Sequence, residues 1–351
     1  MLRFETREAS GSLPAEALCD LGVMHYSGGD GPVHPPLEAR QLYGLAAAQG
    51  DAYAQHAAKG DADARYEPGQ MHLTEARRLY GLIAEQGDAD AQRNLGFMHR
   101  LGNGGPINCA EARRLFGLAA AQRHANAQCN LGNMHYNGEG GSPDLTEARR
   151  LFGLAAAQGH ARAQYTLGTM HHMGEGGPQD FTEARRLYEL AAAQGDAGGR
   201  YNLGIMHLDG KGIPQDLAEA RRLFELAAAQ GNAMSQNLLG DMHYNGEGGP
   251  QDFTEARRLL GLAAAQGHAD AQRNLGIMLY NGEGGPVDDA EARRLLGLAA
   301  AQGHVDAQHR LGLMHHDGEG GPQDLTEARR LYELAAAQGH AKAQYMLGSM
   351  H

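Results

Sequence analysis

Eight glutamates, Glu75, Glu111, Glu147, Glu183, Glu219, Glu255, Glu291 and Glu327, stand 36 residues apart. Each opens a copy of one string, which reads EARRLFGLAAAQGH at 147; between the copies runs a second string, which reads LGTMHHMGEGGPQD at 167. A chain that repeats itself at this period folds as a stack of small units rather than around one closed core. The length of 351 residues would otherwise suggest two or three domains of about 100 to 200 residues. The period replaces that expectation with one elongated array.

Each unit reads as two helices. In PQDFTEARRLYELAAAQG at 178–195, Asp180 precedes Glu183 by the spacing of a capping box, and Gly195 stands where a helix ends in glycine. The second helix of the unit, helix B, is expected over 181–194. Ala184, Leu187, Tyr188 and Ala191 form its buried stripe, with Arg185 and Arg186 outside it. Helix A is expected over about 197–208, with Leu203 and Met206 on one face and Gly204 allowing close helix approach. Between A and B, GEGGPQD reads as a hinge. The first glycine ends helix A in a left-handed conformation, the proline stops the helix, and the aspartate caps helix B. One repeat buries side chains such as Leu151 and Phe152 at about 1.5 to 3 kcal/mol each. Ordering costs at least about 1 kcal/mol per residue, so a lone repeat does not fold and stability belongs to the array.

The same strings could be mistaken for an active site. A phosphate-binding loop needs lysine followed by Ser or Thr at a helix start; the only lysine in these loops, Lys211, lies inside the turn. Asn245, Glu247 and Asp252 supply too few oxygens for a calcium shell. The histidines form two columns. His124, His160, His268, His304 and His340 share a position with Asp88, Asp196 and Asn232, which reads as a helix N-cap. His99, His135, His171, His207, His243, His315 and His351 share theirs with Leu279, so this position is not an obligatory metal ligand. Successive copies would also lie about 8 to 10 Å apart, too far to share one ion. The few serines sit in no strand-to-helix elbow, and Glu147 with Arg150 reads as a helix-surface ion pair. No enzyme activity, cofactor or metal is expected.

The pattern A-x-A-Q-Y-x-LG-x-M, G-x-G-x-P-Q-D, E-A-R-R-L-[YF]-x-L-A-A-A-Q-G, running from Ala15 to His351, resembles the Sel-one-like repeats, relatives of the tetratricopeptide repeats. The resemblance implies an all-α fold, an α/α solenoid winding as a right-handed superhelix, with adaptor roles in signalling, quality control and cell-envelope or host-interaction systems. Three departures stand out: histidine follows LG-x-M where the family has tyrosine, Leu151 and its equivalents replace tryptophan, and the paired cysteines of the secreted branch are missing. The last counts against a penicillin-binding-like or metal-dependent hydrolase, the third reading.

The expected organisation is a non-repeat segment over 1–14, a first repeat over 15–50 and a degenerate junction over 51–74. A regular array over 75–351 follows, for about nine repeats and a terminal half repeat. In the junction the hinge loop is gone and Pro68 replaces a core leucine, which should kink or break helix A. At the other end Met350 and His351 leave helix A without a helix B, an open face expected to be covered by self-association or by continuation of the natural protein. The net charge of -12 and the lack of a lysine-rich block argue against nucleic acid and anionic membrane as partners, since both need a basic face. No apolar run reaches the roughly 20 residues of a membrane span, and MLRFETREAS has no signal-peptide apolar region. Cys19, Cys109 and Cys129 do not recur with the period, which suits a reducing, cytoplasmic location.

The functional expectation is a scaffold or adaptor binding a protein or peptide along helix A, the helix that lines the concave face in the resembling families. A structural or self-associating rod is the alternative. The column Asn94, Asn130, Thr166, Asn202, Leu238, Asn274, Arg310 and the column Phe97, Asn133, Thr169, Ile205, Asp241, Ile277, Leu313 change from copy to copy. They lie on an arc opposite Ala91, Leu95, Met98 and Gly102 and are expected to be exposed. The exposed Arg149 and Arg150 of helix B, by contrast, recur unchanged in nearly every copy. The expected partner-binding residues are Thr166, Thr169, Tyr201, Asn202, Ile205, Asn237, Leu238, Asp241, Asn274 and Ile277.

Overall fold

The computed structural model of the chain describes residues 68–350. Sixteen α-helices and no strand are found among them. In chain order these are α1 Pro68–Glu85, α2 Ala89–Leu101, α3 Cys109–Ala121, α4 Ala125–Asn137, α5 Leu145–Ala157, α6 Ala161–Met173, α7 Phe181–Ala193 and α8 Ala197–Asp209. There follow α9 Leu217–Ala228, α10 Ala233–Asn245, α11 Phe253–Ala265, α12 Ala269–Asn281, α13 Asp289–Ala301, α14 Val305–Asp317, α15 Leu325–Ala337 and α16 Ala341–Ser349. The even-numbered helices are helix A of their repeats, and the odd-numbered ones from α3 on are helix B. Consecutive helices pack against one another from α1 to α5 and again from α7 to α16, and the fold is an all-α solenoid. The described residues divide into two compact units, 68–163 with 175–178, and 164–174 with 179–350. The first repeat, most of the 51–74 junction and His351 lie outside the described residues; Pro68 is the first residue of α1, where a missing N–H costs nothing.

Helix ends follow the local chemistry. Asp180 accepts hydrogen bonds from the N–H groups of Thr182 and Glu183, both at 3.0 Å, and so caps α7. The expected capping box is only half built. Glu183 turns outward to Arg186 at 2.6 Å, while the Asp180 N–H donates to the carbonyl of His171 at 2.9 Å. At the other end Gly195 takes φ 89°, and the Asp196 N–H reaches back to the carbonyl of Ala191 at 3.0 Å, closing the last turn.

Within the second unit, Tyr188 and Ala184 of α7, Leu203 and Met206 of α8 and Leu223 of α9 form one buried cluster. Phe224 of α9, Leu239 and Met242 of α10 and Leu259 of α11 form the next. Each cluster draws on helix B of one repeat and both helices of the following one, so no repeat completes its core alone. Close packing at the centre depends on a missing side chain: a Cβ on Gly204 would stand 2.6 Å from the Phe224 ring. Buried glutamines run alongside. Gln236 donates to the Ala228 carbonyl at 3.1 Å and accepts from Gln266 at 2.7 Å, which satisfies its buried amide.

Candidate functional site

The expected binding residues all lie in the second unit, on α6, α8, α10 and α12. Their exposure corrects the helical-wheel reading. Instead of facing solvent opposite the core, nine of the ten are half-buried, and Asn237 is buried with 6 % of its surface accessible. A wheel describes one helix, whereas here helix A of the next repeat lies alongside and covers the flank. Tyr201, Ile205 and Leu238 pack against the cluster around Phe224, so their apolar character is partly spent on the core.

The two columns meet each other between repeats. Thr169 Oγ1 accepts from Tyr188 OH at 3.3 Å and from Asn202 Nδ2 at 3.4 Å. Two repeats on, Asp241 accepts from Asn274 Nδ2 at 2.9 Å and from Asn237 Nδ2 at 3.4 Å. Ile277, being apolar, takes no part in these hydrogen bonds. Ile277 lines a cavity of about 130 Å³ with Tyr280, Leu296, Arg310, Leu313, Met314, Asp317 and Glu319.

Asp241 is the one charged residue in its column, whose other members are Phe97, Asn133, Thr169, Ile205, Ile277 and Leu313. Its contacts are neutral amides. Burial pushes its carboxyl up to about 6, against the opposing pull of the Asn274 hydrogen bond and the Arg273 charge. Arg273 itself donates from Nη1 to Asn274 Oδ1 at 2.7 Å and lies 3.7 Å from Asp306.

Further contacts on this flank had no counterpart in the sequence reading. Tyr244 and Tyr280 donate their hydroxyls to Glu283 and Glu319 in the following hinge loops, at 3.1 and 2.8 Å. The only warning was a tyrosine and a glutamate recurring 39 residues apart.

Members of both histidine columns are engaged by the protein, although the buried Nδ1 of His207 has no hydrogen-bond partner. His304 Nδ1 accepts the Ala307 N–H at 3.3 Å, the expected cap, and Nε2 lies 3.1 Å from Asp270 in the preceding repeat. The capping bond leaves the proton on Nε2, so histidine joins repeats as well as capping, which a shorter Asp or Asn does not. In the second column, Arg77, Arg113, Arg221 and Arg293 approach Nδ1 of His99, His135, His243 and His315 at 2.6 to 2.8 Å. Among the described residues no three His, Cys, Asp or Glu side chains are placed to hold one metal ion.

These contacts correct the view of the helix B arginines as an equivalent exposed pair. Arg149 reaches under the following hinge loop and donates to the carbonyls of Glu175 and Pro178 at 3.2 and 3.1 Å; Arg221, its equivalent, is 8 % exposed. Arg150 and its equivalents are exposed and paired with the glutamate three residues earlier. Helix B does carry an exposed recurring residue, but an apolar one. Leu82, Leu118, Leu154, Leu190, Leu226, Leu262, Leu298 and Leu334 are 38 to 47 % accessible. Their recurrence beside the buried stripe was visible in the sequence.

Paired helices repeated at 36 residues, with side chains presented between neighbouring copies, define an α/α repeat protein. The chain belongs to the Sel1 repeat family, whose repeat matches at 15–51, 89–124, 125–160, 161–196, 197–232, 233–268, 269–304, 305–340 and 341–351. It is similar to c5321, a protective antigen of uropathogenic Escherichia coli displaying an SLR fold, at 28 % identity and a TM-score of 0.72. That alignment covers 99 % of this chain and 66 % of the antigen, so this chain spans about two thirds of its relative. A Sel1 repeat protein from Oxalobacter formigenes is similar at 27 % identity and a TM-score of 0.65, over 95 % of this chain and all of that one. No curated protein sequence matches. No helix among the described residues is long and apolar enough to cross a membrane.

Proposed function

We propose that the chain is a non-enzymatic adaptor that binds a protein or peptide along the flank of successive A helices, at 166–277. The observation that carries this reading is Asp241: a half-buried carboxylate with amide partners alone, in a column that is uncharged in every other repeat. An isolated charge held away from water is costly to the fold, and such costs gather where something is to be bound. The half-buried Ile205, Leu238 and Ile277 leave apolar edges beside it. The contrast between a drifting helix A and constant helix B arginines does not support the reading, because Arg149, Arg221, Arg257 and Arg293 hold hinge loops. The cytoplasmic location belongs to this proposal as well.

The test is a matched set of variants against a captured partner. Charge substitutions at Asn202, Ile205 and Leu238 are compared with substitutions at Arg222 and Arg258, whose side chains are exposed. Loss of binding only with the second set, in folded proteins, would place the interface on helix B.

A second reading, self-association, is favoured by the leucine column. A groove of about 510 Å³ between α3 and α5 has Leu151 and Leu154 in its lining, and recurring exposed apolar side chains suit a contact between copies. Sedimentation of a Leu190→Gln, Leu226→Gln, Leu262→Gln variant beside the parent chain tests it.

A further inference from the structure

Two places on the A-helix flank of the second unit are incomplete in complementary ways. The first is Asp241, between α10 and α12. Among the described residues no cation lies within ion-pair distance of its carboxylate; the guanidinium of Arg273 donates to Asn274 Oδ1 at 2.7 Å, with Asp306 3.7 Å away, and so reaches Asp241 only through the Asn274 amide. Beside it Asn237 gives its Nδ2 to Asp241, while its buried Oδ1 accepts no hydrogen bond from the protein. A carboxylate and an amide oxygen side by side, both short of donors, ask for a group that only donates. The second place is the cavity between α12 and α14. Ile277, Leu296, Leu313 and Met314 supply its apolar lining; Arg310, Asp317 and Glu319 supply its polar edge. Its 130 Å³ is below the 300 to 1,000 Å³ of small-molecule sites and close to the roughly 150 Å³ that holds one benzene ring. It fits one aliphatic side chain.

The two places are one helix apart, about 8 to 10 Å for packed helices. A polyproline II segment advances about 3.1 Å per residue with three residues per turn, so residues i and i+3 point the same way about 9 Å apart. The charges around the flank set the sign. Asp241, Glu247, Glu283, Asp317 and Glu319 outnumber Arg273 and Arg310, and Arg310 is drawn aside over the Tyr280 ring, 6.0 Å from its centre.

We infer that this flank takes an extended basic segment of a partner, with a lysine or arginine against Asp241 and Asn237 and, three residues away, an aliphatic side chain in the cavity at Ile277 and Leu313. The inference rests on the adaptor reading and adds the chemistry of the partner. Burial of the Asp241 carboxyl, which raises it towards neutrality, is relieved when a cation arrives.

The probes are short fluorescein-labelled peptides in a proline-rich frame carrying Lys-Pro-Pro-Leu or Leu-Pro-Pro-Lys, titrated against the full chain by fluorescence anisotropy. One order should bind. Exchange of its lysine for glutamine should weaken binding about tenfold to the parent chain and hardly at all to Asp241→Asn, because the two groups are partners. Exchange of the leucine for serine should weaken binding to both chains, and a Leu313→Gln chain should lose that discrimination. Circular dichroism and thermal melts establish that the variants fold. The inference is overturned if neither order binds, if a glutamate peptide binds as well as the lysine one, or if the Asp241→Asn and lysine-to-glutamine losses simply add. A natural partner that is released by Asn202 and Leu238 variants, but whose bound segment has no basic residue, overturns this inference and leaves the adaptor reading standing. Release by helix B variants alone removes both.

Discussion

Arg221 Nη2 lies 2.8 Å from His243 Nδ1, and the same arginine reaches the carbonyls of Glu247 and Pro250 at 3.4 Å. One side chain therefore ties helix B to the helix A and hinge loop that follow. Removing it strands a buried imidazole and two loop carbonyls, whereas its neighbour Arg222 contributes only an exposed pair with Glu219. Arg221→Ala should cost about 1 to 3 kcal/mol, and Arg222→Ala about 0.5 kcal/mol or less. Urea titration of both variants checks the difference.

The same contact makes stability depend on pH. Burial first, then the arginine charge, holds His99, His135, His243 and His315 below the ordinary histidine value of 6.5. A histidine depressed in the folded state stabilises fully above its unfolded value, and the contribution is lost as pH falls below about 6.5. Leucine is already tolerated at this position as Leu279, opposite Arg257, which keeps its bond to the Pro286 carbonyl at 3.1 Å. His243→Leu should therefore narrow the gap between melting temperatures at about pH 7.5 and about pH 5.5. An unchanged gap would count against the buried, neutral imidazole.

Asp241 has the opposite sign. Its folded value of about 6 exceeds the ordinary 3.8, so the stability it provides is present below about 4 and is lost as pH rises through about 6. Besides its own Asn237, the groups facing it are Asp270, Arg273 and Asn274 from α12 and Glu247 from the hinge loop. Asp241→Asn should stabilise the chain by ~1 to 3 kcal/mol at about pH 7.5, with the gain vanishing near pH 4. Melting curves across that range check it; a variant less stable than its parent at neutral pH would mean that the carboxylate is paid for within the fold.

Glycines divide by surroundings. A methyl group at Gly204 meets the Phe224 ring, and Gly204→Ala should cost about 1 to 3 kcal/mol. Gly261, inside α11 with no atom within 4 Å of an added Cβ, should gain up to about 1 kcal/mol as alanine. Chemical denaturation of the two variants gives both signs in one experiment.

The helix pairs could be read from periodicity and caps because both are local. Helix B, expected over 181–194, is found as Phe181–Ala193, with Ala184, Leu187, Tyr188 and Ala191 all buried as expected. The contacts of Arg221 with a histidine 22 residues on, or of Asn274 with an aspartate 33 residues back, depend on how one repeat lies on the next. A wheel drawn for one helix has no information on that angle, which is why the Asn202 and Ile205 columns read as open and prove half-covered. The same limit hid the two roles of the arginine pair: residues 149 and 150 differ by one position on the wheel, yet one lies under a loop and the other in solvent.

Binding of partners on the A-helix flank is open to residue-resolved photocrosslinking. A benzophenone side chain is placed singly at Asn202, Leu238 or Asn274, and in parallel at Leu190, Leu226 or Leu262, and the proteins are irradiated with the captured partner. Adducts are expected from the first set alone. Adducts from the helix B leucines, with none from Asn202, Leu238 or Asn274, would contradict the account.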